Sequence, residues 1–439
     1  MSKNEEAWEK IFDALDVIGE IERHGFADVT SAQIKKIANR EPRLIAKVDH
    51  AINESGPFRE NGLSLLTISR SCYRIGPFEI FAKIRNDINE FIPPSSIGWH
   101  NNLESLSMTG HSGEPGVLHI AFASGVLQNF FGEEVIPTIS GRMSTGAFSF
   151  SVKNRHSGYS RINVDRAQIE IDAGYEGKNG VYLIEAKNHS ANDFNIRQLY
   201  YPYRVWKEKV SKRISSIYLT YSNDIFTLSE FEFQDPDSMS SILQVKQKEY
   251  ILAHEKIDFR QLLEYAKFAK KSELTLSNDH GAPKPQADDF RRVVDIVSIL
   301  IESPKSKNDL TSHYSFDPRQ SDYYLNAATY LGLVEKVFPK VLSENGGSLY
   351  KSTSLANEIF KLPIDKKYFE IAKLVLSIPT VREIVLHHEK YNQLPSLDEV
   401  IQTAINNPDL REHAETTTLK RRAQTLLAWA KWVLSLRDL

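Results

Sequence analysis

The sequence has almost no cysteine and no long apolar run. Cys72 is the only cysteine among 439 residues, so no intrachain disulfide can form, which fits a reducing cytosol. No apolar run approaches the roughly 20 residues that a transmembrane helix needs. The first ten residues, MSKNEEAWEK, lack the apolar core of a signal peptide. These absences predict a cytoplasmic protein that does not bind a membrane.

Two common kinds of site are also missing. The 13 histidines show no spacing typical of a zinc site. Gly174, Gly177 and Gly180 do not form a phosphate-binding loop, because neither a Lys-Ser/Thr pair nor a helix start follows them.

The chain carries no excess of positive charge. Its net charge is −3, so any contact with nucleic acid must come from local patches. Three basic patches occur, within Thr30–His50, within Arg197–Arg213 and at Lys420–Arg422. A solvated helix face explains any one of them, but three on one chain weaken that explanation.

Breaks in the apolar pattern divide the chain. The segments FIPPSSIGWHNN (91–102) and SNDHGAPKPQADD (277–289) are rich in Pro, Gly and small polar residues, and a softer break lies at YNQLPS (391–396). We therefore predict four parts: residues 1–92, 93–276, 289–380 and 381–439. The last is predicted to be a helical extension.

The first part reads as helices followed by a strand hairpin, LSLLTISRSCYRIGPF. This order is typical of a winged helix, whose basic second helix, with Lys35 and Lys36, would face DNA. A small α+β packing domain is the equally weighted alternative.

The third part, 289–380, repeats the pattern with three helices and two strands. Its last helix begins with Asp317 as the predicted N-cap and Pro318 at the first helical position. In a winged helix this segment reads bases, with Arg319, Gln320, Tyr323 and Asn326 available to a DNA groove. The alternative is a packing helix with a solvated face.

The middle part, 93–276, reads as helix, three strands, helix, strand. The predicted elements are a helix over 116–132, strands over 146–152, 167–174 and 180–187, a basic aromatic helix over 192–213 that is kinked or broken at Pro202, and a strand over 214–222. The whole chain is therefore predicted to be an α/β (α+β) protein.

Carboxylates and a lysine meet at one end of a predicted hairpin in this part. Asp172 ends one strand, and Glu185 and Lys187 end the next, on one face because they are two residues apart. Two carboxylates are suitable ligands for Mg²⁺, which binds through one or two of them plus water and phosphate. The lysine would orient the attacking water or neutralise the phosphate. A surface hairpin with a Glu–Lys pair is the plain alternative.

Ile171-Asp172, a gap of twelve residues and Glu185-Ala186-Lys187 resemble the PD-(D/E)XK nuclease motif. Within that superfamily the chain resembles a type II restriction endonuclease with winged-helix domains on both sides of the nuclease core. Three segments are similar to sequences of that group: FRENGLSLLTISRSCYRIGPF, GRMSTGAFSF and IEIDAGYEG. No proline precedes Asp172, a position that varies in the superfamily.

The resemblance implies Mg²⁺-dependent cleavage of double-stranded DNA at a specific sequence, leaving 5′-phosphate ends, with Mn²⁺ as a substitute. Asp172, Glu185 and the Ala186 carbonyl would hold the metal. It implies a bacterial protein, with a cognate DNA methyltransferase as functional partner. Cutting both strands suggests a homodimer.

Further candidates lie around the motif. Glu170 shares the Asp172 face, Glu134 follows the first core helix, and Gln198 lies on the helix after the motif. Arg204 on that helix would hold backbone phosphates, and Arg142 and Ser144 would touch DNA. Three rivals remain open: a nuclease of the same fold acting in repair or on modified DNA, an inactive DNA-binding regulator, and a scaffold that does not bind DNA.

Overall fold

A computed structural model describes residues 3–85, 95–96, 106, 113–189, 191–252, 257–268, 285–314, 318–337, 348–407 and 416–438. The chain forms two compact units. Unit 1 comprises 1–87, 113–220 and 227–248, and unit 2 comprises 88–112, 221–226 and 249–439. The mixture of helices and strands confirms the predicted α+β class. No helix in the described part of the chain is long and apolar enough to cross a bilayer.

The N-terminal part of unit 1 is a helical cluster with a small sheet. Its elements are α1 (Lys3–Ala14), α2 (Val17–His24), β1 (Ala27–Thr30), α3 (Ser31–Ala38), α4 (Pro42–Ile45), a 3-10 turn (Ala51–Asn53), α5 (Gly56–Glu60), β2 (Ser64–Thr67) and β3 (Cys72–Gly76). The strands are antiparallel in the order β1-β3-β2. This confirms the predicted hairpin. Thr30 starts α3 with a capping box to Gln33.

The remainder of unit 1 is built around a long mixed sheet. Its elements are β4 (Phe81–Lys83), α6 (Gly113–Ala123), α7 (Val126–Phe131), β6 (Val135–Ser144), β7 (Ala147–Lys153), β8 (Tyr159–Asp165), β9 (Gln168–Gly177), β10 (Gly180–Lys187), β11 (Asp193–Asn195), α8 (Arg197–Lys207), β12 (Arg213–Ser222), β13 (Ile225–Phe233), a 3-10 turn (Met239–Ser241) and β14 (Ile242–Ile251). The sheet order is β14-β13-β12-β10-β9-β6. Within unit 2, β5 (Ser95–Ser96) pairs with Tyr250 and Ile251 at the end of β14.

Several strands of the long sheet were not predicted, namely β5, β6, β13 and β14. The predicted strand over 146–152 is β7, but it pairs with β8 in a separate two-stranded sheet. The strand beside β9 is β6, which is exposed along most of its length and irregular around Ile139. An exposed edge strand with Pro137 and Gly141 lacks the apolar alternation by which strands are recognised. Of the predicted kink or break at Pro202, the break is wrong, because α8 continues through this residue, and the kink stays a prediction.

Unit 2 is largely helical and has one apolar core. Its main elements are α9 (Phe259–Phe268), α10 (Phe290–Glu302), β15 (Lys305–Ser306), α11 (Lys307–Tyr314), α12 (Pro318–Tyr330), β16 (Val334–Val337), β17 (Leu349–Ser352), α13 (Ser354–Ile359), α14 (Ile364–Leu376), α15 (Pro379–Tyr391), α16 (Leu397–Asn406), α17 (Thr416–Ser435) and a 3-10 turn (Leu436–Asp438). Residues 289–380 and 381–439 share this core. Trp429 packs edge-on against Phe290 and donates a 2.7 Å hydrogen bond to the Ala287 carbonyl. The C-terminal helices are therefore part of the same folded body as α10–α14.

Gly174 in the centre of β9 generates a stability prediction. A methyl group there would lie 2.7 Å from Ile139 Cβ and 3.3 Å from Leu183 Cδ2, on the two neighbouring strands. Gly174→Ala should therefore destabilise unit 1 by about 1–3 kcal/mol through overpacking. Denaturant unfolding measures this, with the exposed Ser140→Ala on β6 as control. A Gly174→Ala variant as stable as wild type would contradict the packing described.

Candidate active site

The pairing of β9 with β10 brings the motif together. Leu183 lies opposite Gly174 and Ile184 opposite Ala173, so the next step along the hairpin reaches Asp172 and Glu185. The Ala186 N–H donates a 2.8 Å hydrogen bond to Asp172 Oδ2. The strand ends are thus fastened to each other at the level of the carboxylates.

Two side chains donate hydrogen bonds to the same oxygen of Glu185. Lys187 Nζ donates to Glu185 Oε1 at 2.6 Å, and Gln198 Nε2 from α8 donates to the same atom at 2.6 Å. Lys187 is 5% exposed, and its Nζ also lies 3.7 Å from Glu114 Oε1. The structure therefore brings together Asp172, Glu185, Lys187 and Gln198 as predicted, and adds Glu114.

Glu114, and not the predicted Glu134, is the further acid that lies near Lys187. Glu114 stands in the first turn of α6, near Lys187. Glu134 is exposed just before β6. Its neighbour Glu133 accepts hydrogen bonds from the Asn179 N–H and the Tyr182 hydroxyl, near the turn of the β9–β10 hairpin. Five residues of strand, about 17 Å, separate that turn from Glu185. Glu114 could have been predicted as an acid in the first turn of α6. It was missed because the helix was predicted to begin at residue 116.

Burial shifts the pKa values of the three carboxyl groups of Glu114, Asp172 and Glu185. Burial raises the pKa of the Glu185 carboxyl to about 7, although Lys187 opposes the shift. Burial also raises the pKa of Asp172 and of Glu114. Burial alone would lower the pKa of the Lys187 ammonium, but the carboxylates, Glu185 first, hold that pKa well above its usual value. Lys187 is therefore a cation at neutral pH.

The N-terminal part of unit 1 also contributes charge to this site. Asp49 raises the pKa values of Glu185 and Lys187 electrostatically, and Lys47 lowers that of Asp172. Hydrogen bonds hold their loop: Asn195 donates from its N–H to the Asp49 carbonyl at 2.8 Å and from Nδ2 to the Val48 carbonyl at 2.9 Å. Sequence reasoning missed this loop, since it lies far from the motif in the chain.

The residues present suit a hard divalent cation. Asp172 and Glu185 provide carboxylate oxygens, and the Ala186 carbonyl is the third predicted ligand. Gln198 Oε1 and the Tyr218 hydroxyl are buried and have no hydrogen-bond partner among the residues that the structure describes, which is costly unless water or a ligand satisfies them. Among the described residues no group of three or more His, Cys, Asp or Glu is placed to hold a metal. Mg²⁺ binds through one or two carboxylates and retains water, so this pair meets its minimum requirement.

The remaining predicted residues lie elsewhere. Glu170 forms an exposed 3.1 Å ion pair with Arg142. Lys35 and Lys36 are exposed on α3, Lys35 pairing with Glu41. On α12, Tyr323 and Asn326 are half-buried, and Tyr323 packs against the apolar core of unit 2. Asp317 and the side chains of Arg319 and Gln320 lie outside the described part of the structure.

Arg204 does not match its predicted role as a phosphate contact. Its guanidinium donates to the carbonyls of Ser149 and Pro236 and pairs with Asp237 at 2.9 Å. It also lies over the Phe148 ring. Its side chain is 11% exposed. Arg204 therefore connects α8 to β7 and to the loop after β13. The basic composition of the helix does not indicate these contacts.

The raised pKa of Glu185 generates a pH prediction. Folding favours the neutral form of the Glu185 carboxyl. The stability that this group contributes is fully present below its usual pKa of 4.5, and it is lost as the pH rises through the folded-state pKa of about 7. Glu185→Gln keeps the neutral form. In EDTA, the stability of this variant relative to wild type should therefore increase by about 2 kcal/mol between pH 5.5 and 8. Thermal unfolding measures this difference, with Glu170→Gln as control. A stability difference between Glu185→Gln and wild type that does not change with pH would contradict the raised pKa of Glu185.

Family models of three domains of unknown function match the chain. DUF6996 matches residues 5–75, DUF6997 matches 76–251 and DUF7226 matches 292–438. The second covers all the site residues from Glu114 to Gln198. The third spans both of the segments predicted after residue 288. No curated protein and no solved structure matches the chain significantly.

Proposed function

We propose that the chain is a metal-dependent endonuclease that hydrolyses phosphodiester bonds in double-stranded DNA, as a type II restriction endonuclease does. The observation that carries this proposal is the convergence of Asp172, Glu185 and Lys187 at one end of the β9–β10 hairpin. Burying these charges is costly for a surface hairpin, but is expected of a site that holds a cation and a phosphate.

The sheet topology supports a PD-(D/E)XK core. Strands β6, β9, β10 and β12 are adjacent, with two antiparallel pairings followed by a parallel one. Helices α6 and α7 precede the first strand, and α8 connects β10 to β12. This is the helix–three strands–helix–strand order that the resemblance implies, with β7 and β8 inserted between the first two strands.

Each residue of the site then has a role. Asp172, Glu185 and the Ala186 carbonyl would hold Mg²⁺ or Mn²⁺. When bound, the ion would lower the pKa of a water and stabilise negative charge on phosphate oxygen. Lys187, kept protonated by Glu185, orients the water and neutralises the phosphate rather than accepting a proton. Gln198 holds Glu185 in position through its 2.6 Å hydrogen bond.

Strand order supports winged-helix domains on both sides of this core. In unit 2, α10, β15, α11, α12, β16 and β17 follow one another, and the sheet order is β15-β17-β16. The N-terminal sheet has the equivalent order β1-β3-β2. Helix α12 buries Tyr324 and Ala327 in the core of unit 2, and its half-buried Asn326 is the side chain that would reach DNA.

The cellular setting belongs to the same proposal. A sequence-specific nuclease of a bacterial cytoplasm requires a DNA methyltransferase that protects the host's own sites. A homodimer would supply two active sites to the two strands of a symmetric target.

Cleavage of phage and plasmid DNA tests the proposal. With Mg²⁺ the wild type should give discrete fragments with 5′-phosphate ends, and EDTA should abolish them. Lys187→Ala should reduce the rate at least about 100-fold, because it removes a cation aimed at the developing charge. Lys178→Ala, at the opposite end of the same hairpin, is the matched control and should cleave normally. DNA that remains intact with Mg²⁺ and Mn²⁺, with or without methylation, would contradict the proposal.

The assignment of α12 as the reading helix makes a separate prediction. Asn326→Ala should weaken binding to the cleaved sequence by about 1–3 kcal/mol and leave binding to unrelated duplexes unchanged. Fluorescence anisotropy on a Lys187→Ala background measures both. Equal weakening on both duplexes would identify α12 as a backbone contact only.

A further inference from the structure

A wide cleft in unit 1 is lined by three separate turns. Its volume is about 910 Å³. The β2–β3 turn contributes Ser69–Ser71, the end of β6 contributes Arg142–Ser144, and the β8–β9 turn contributes Asp165–Gln168. Each turn places one arginine in the cleft: Arg70, Arg142 and Arg166.

These arginines are available to an anion. Arg70 is exposed and makes no hydrogen bond or ion pair within the described part of the chain. Arg142 pairs with Glu170 at 3.1 Å, and Arg166 pairs with Asp165 at 3.0 Å. Both pairs are more than half exposed, so they add little to stability and exchange readily for another anion. Among the described residues, the cleft therefore has one arginine without an ion pair, Arg70, and two arginines in weak ion pairs, Arg142 and Arg166.

The cleft is preformed. The Asp165 N–H donates a 2.9 Å hydrogen bond to the Ile68 carbonyl, and the Tyr201 hydroxyl donates a 2.8 Å bond to the Thr67 carbonyl. The β2–β3 hairpin is therefore fastened to the nuclease part of unit 1. Arg166 has a left-handed backbone with φ of 50°, unusual for a residue other than glycine, and its N–H donates to the Gly146 carbonyl at 2.7 Å. Such a conformation persists because its surroundings hold it.

The cleft adjoins the candidate active site. Glu170, the partner of Arg142, lies two residues before Asp172 on β9 and projects from the same face, about 7 Å away. A strand of nucleic acid that crosses Asp172 would therefore meet Arg142 within a few nucleotides.

We propose that this cleft is a binding site for the sugar-phosphate backbone of DNA beside the scissile bond. The inference rests on the proposed function. It gives the N-terminal domain a specific task, because the wing of that domain, residues 68–71, is a fixed part of the cleft. The wing clamps the backbone next to the cut and does not read bases elsewhere.

Salt dependence of binding tests the clamp. Affinity for a duplex is measured by anisotropy between 50 and 200 mM salt, on the Lys187→Ala background, for Arg70→Ala, Arg142→Ala and Arg166→Gly. Each should weaken binding equally on cognate and unrelated duplexes and reduce the slope of log affinity against log salt by about 0.9. Lys10→Ala, an exposed residue of α1 with the same loss of charge, is the control and should leave the slope unchanged.

The outcomes separate the two proposals. Wild type that cleaves DNA, with slopes unchanged in all three arginine variants, would overturn the clamp and leave the nuclease standing. Slopes that fall equally in Lys10→Ala would also overturn it, since net charge alone would then explain the effect. Wild type that neither binds nor cleaves DNA would overturn both. Arg70 has no hydrogen bond or ion pair to lose in the described part of the chain, so Arg70→Ala stays informative if another variant folds poorly.

Discussion

One hydrogen bond, from the Ala186 N–H to the Asp172 carboxylate, determines the geometry of the candidate active site. It exists only in the register that sets Ile184 opposite Ala173. A slip of one residue would turn Glu185 and Lys187 to the other face of β10 and separate them from Gln198. Gly174, close against Ile139 and Leu183, permits this register at the centre of the sheet. The placement of Asp172 and Glu185 therefore depends on the packing of Gly174, two residues after Asp172 on β9.

The electrostatics of the site follow from that geometry. Three partly buried acids with raised pKa values surround one lysine, and the lysine cannot neutralise all of them. A divalent cation would restore the balance and would favour the ionised carboxylates. The paired Lys187 stays positive throughout, which suits a role in phosphate neutralisation. The loop with Lys47 and Asp49 extends the charged cluster, so the N-terminal domain contributes to the site as well as to the arginine cleft.

Much of the site was predictable because strand periodicity is local. The positions of Asp172, Glu185 and Lys187 follow from two alternating strands and a turn, and Gln198 follows from the next helix. The Lys47–His50 loop and the burial of Arg204 depend on contacts between distant segments, which composition and spacing do not encode. Glu114 was missed because the start of α6 was predicted at residue 116. The edge strand β6 was missed because solvent on most of its length removes the apolar pattern, and β7 was mistaken for it because its own alternation is strong.

Metal binding linked to proton release tests the central claim, that the carboxylates form a cation site. Mn²⁺ is titrated into wild type, Asp172→Asn and Glu185→Gln by calorimetry at pH 7, in two buffers with different ionisation enthalpies. A Glu185 pKa of about 7 means that a bound cation must displace part of a proton. We expect wild type to bind Mn²⁺ with proton release, and both variants to bind weakly, Glu185→Gln without that release. Equal affinity and equal proton release in all three proteins would contradict the account.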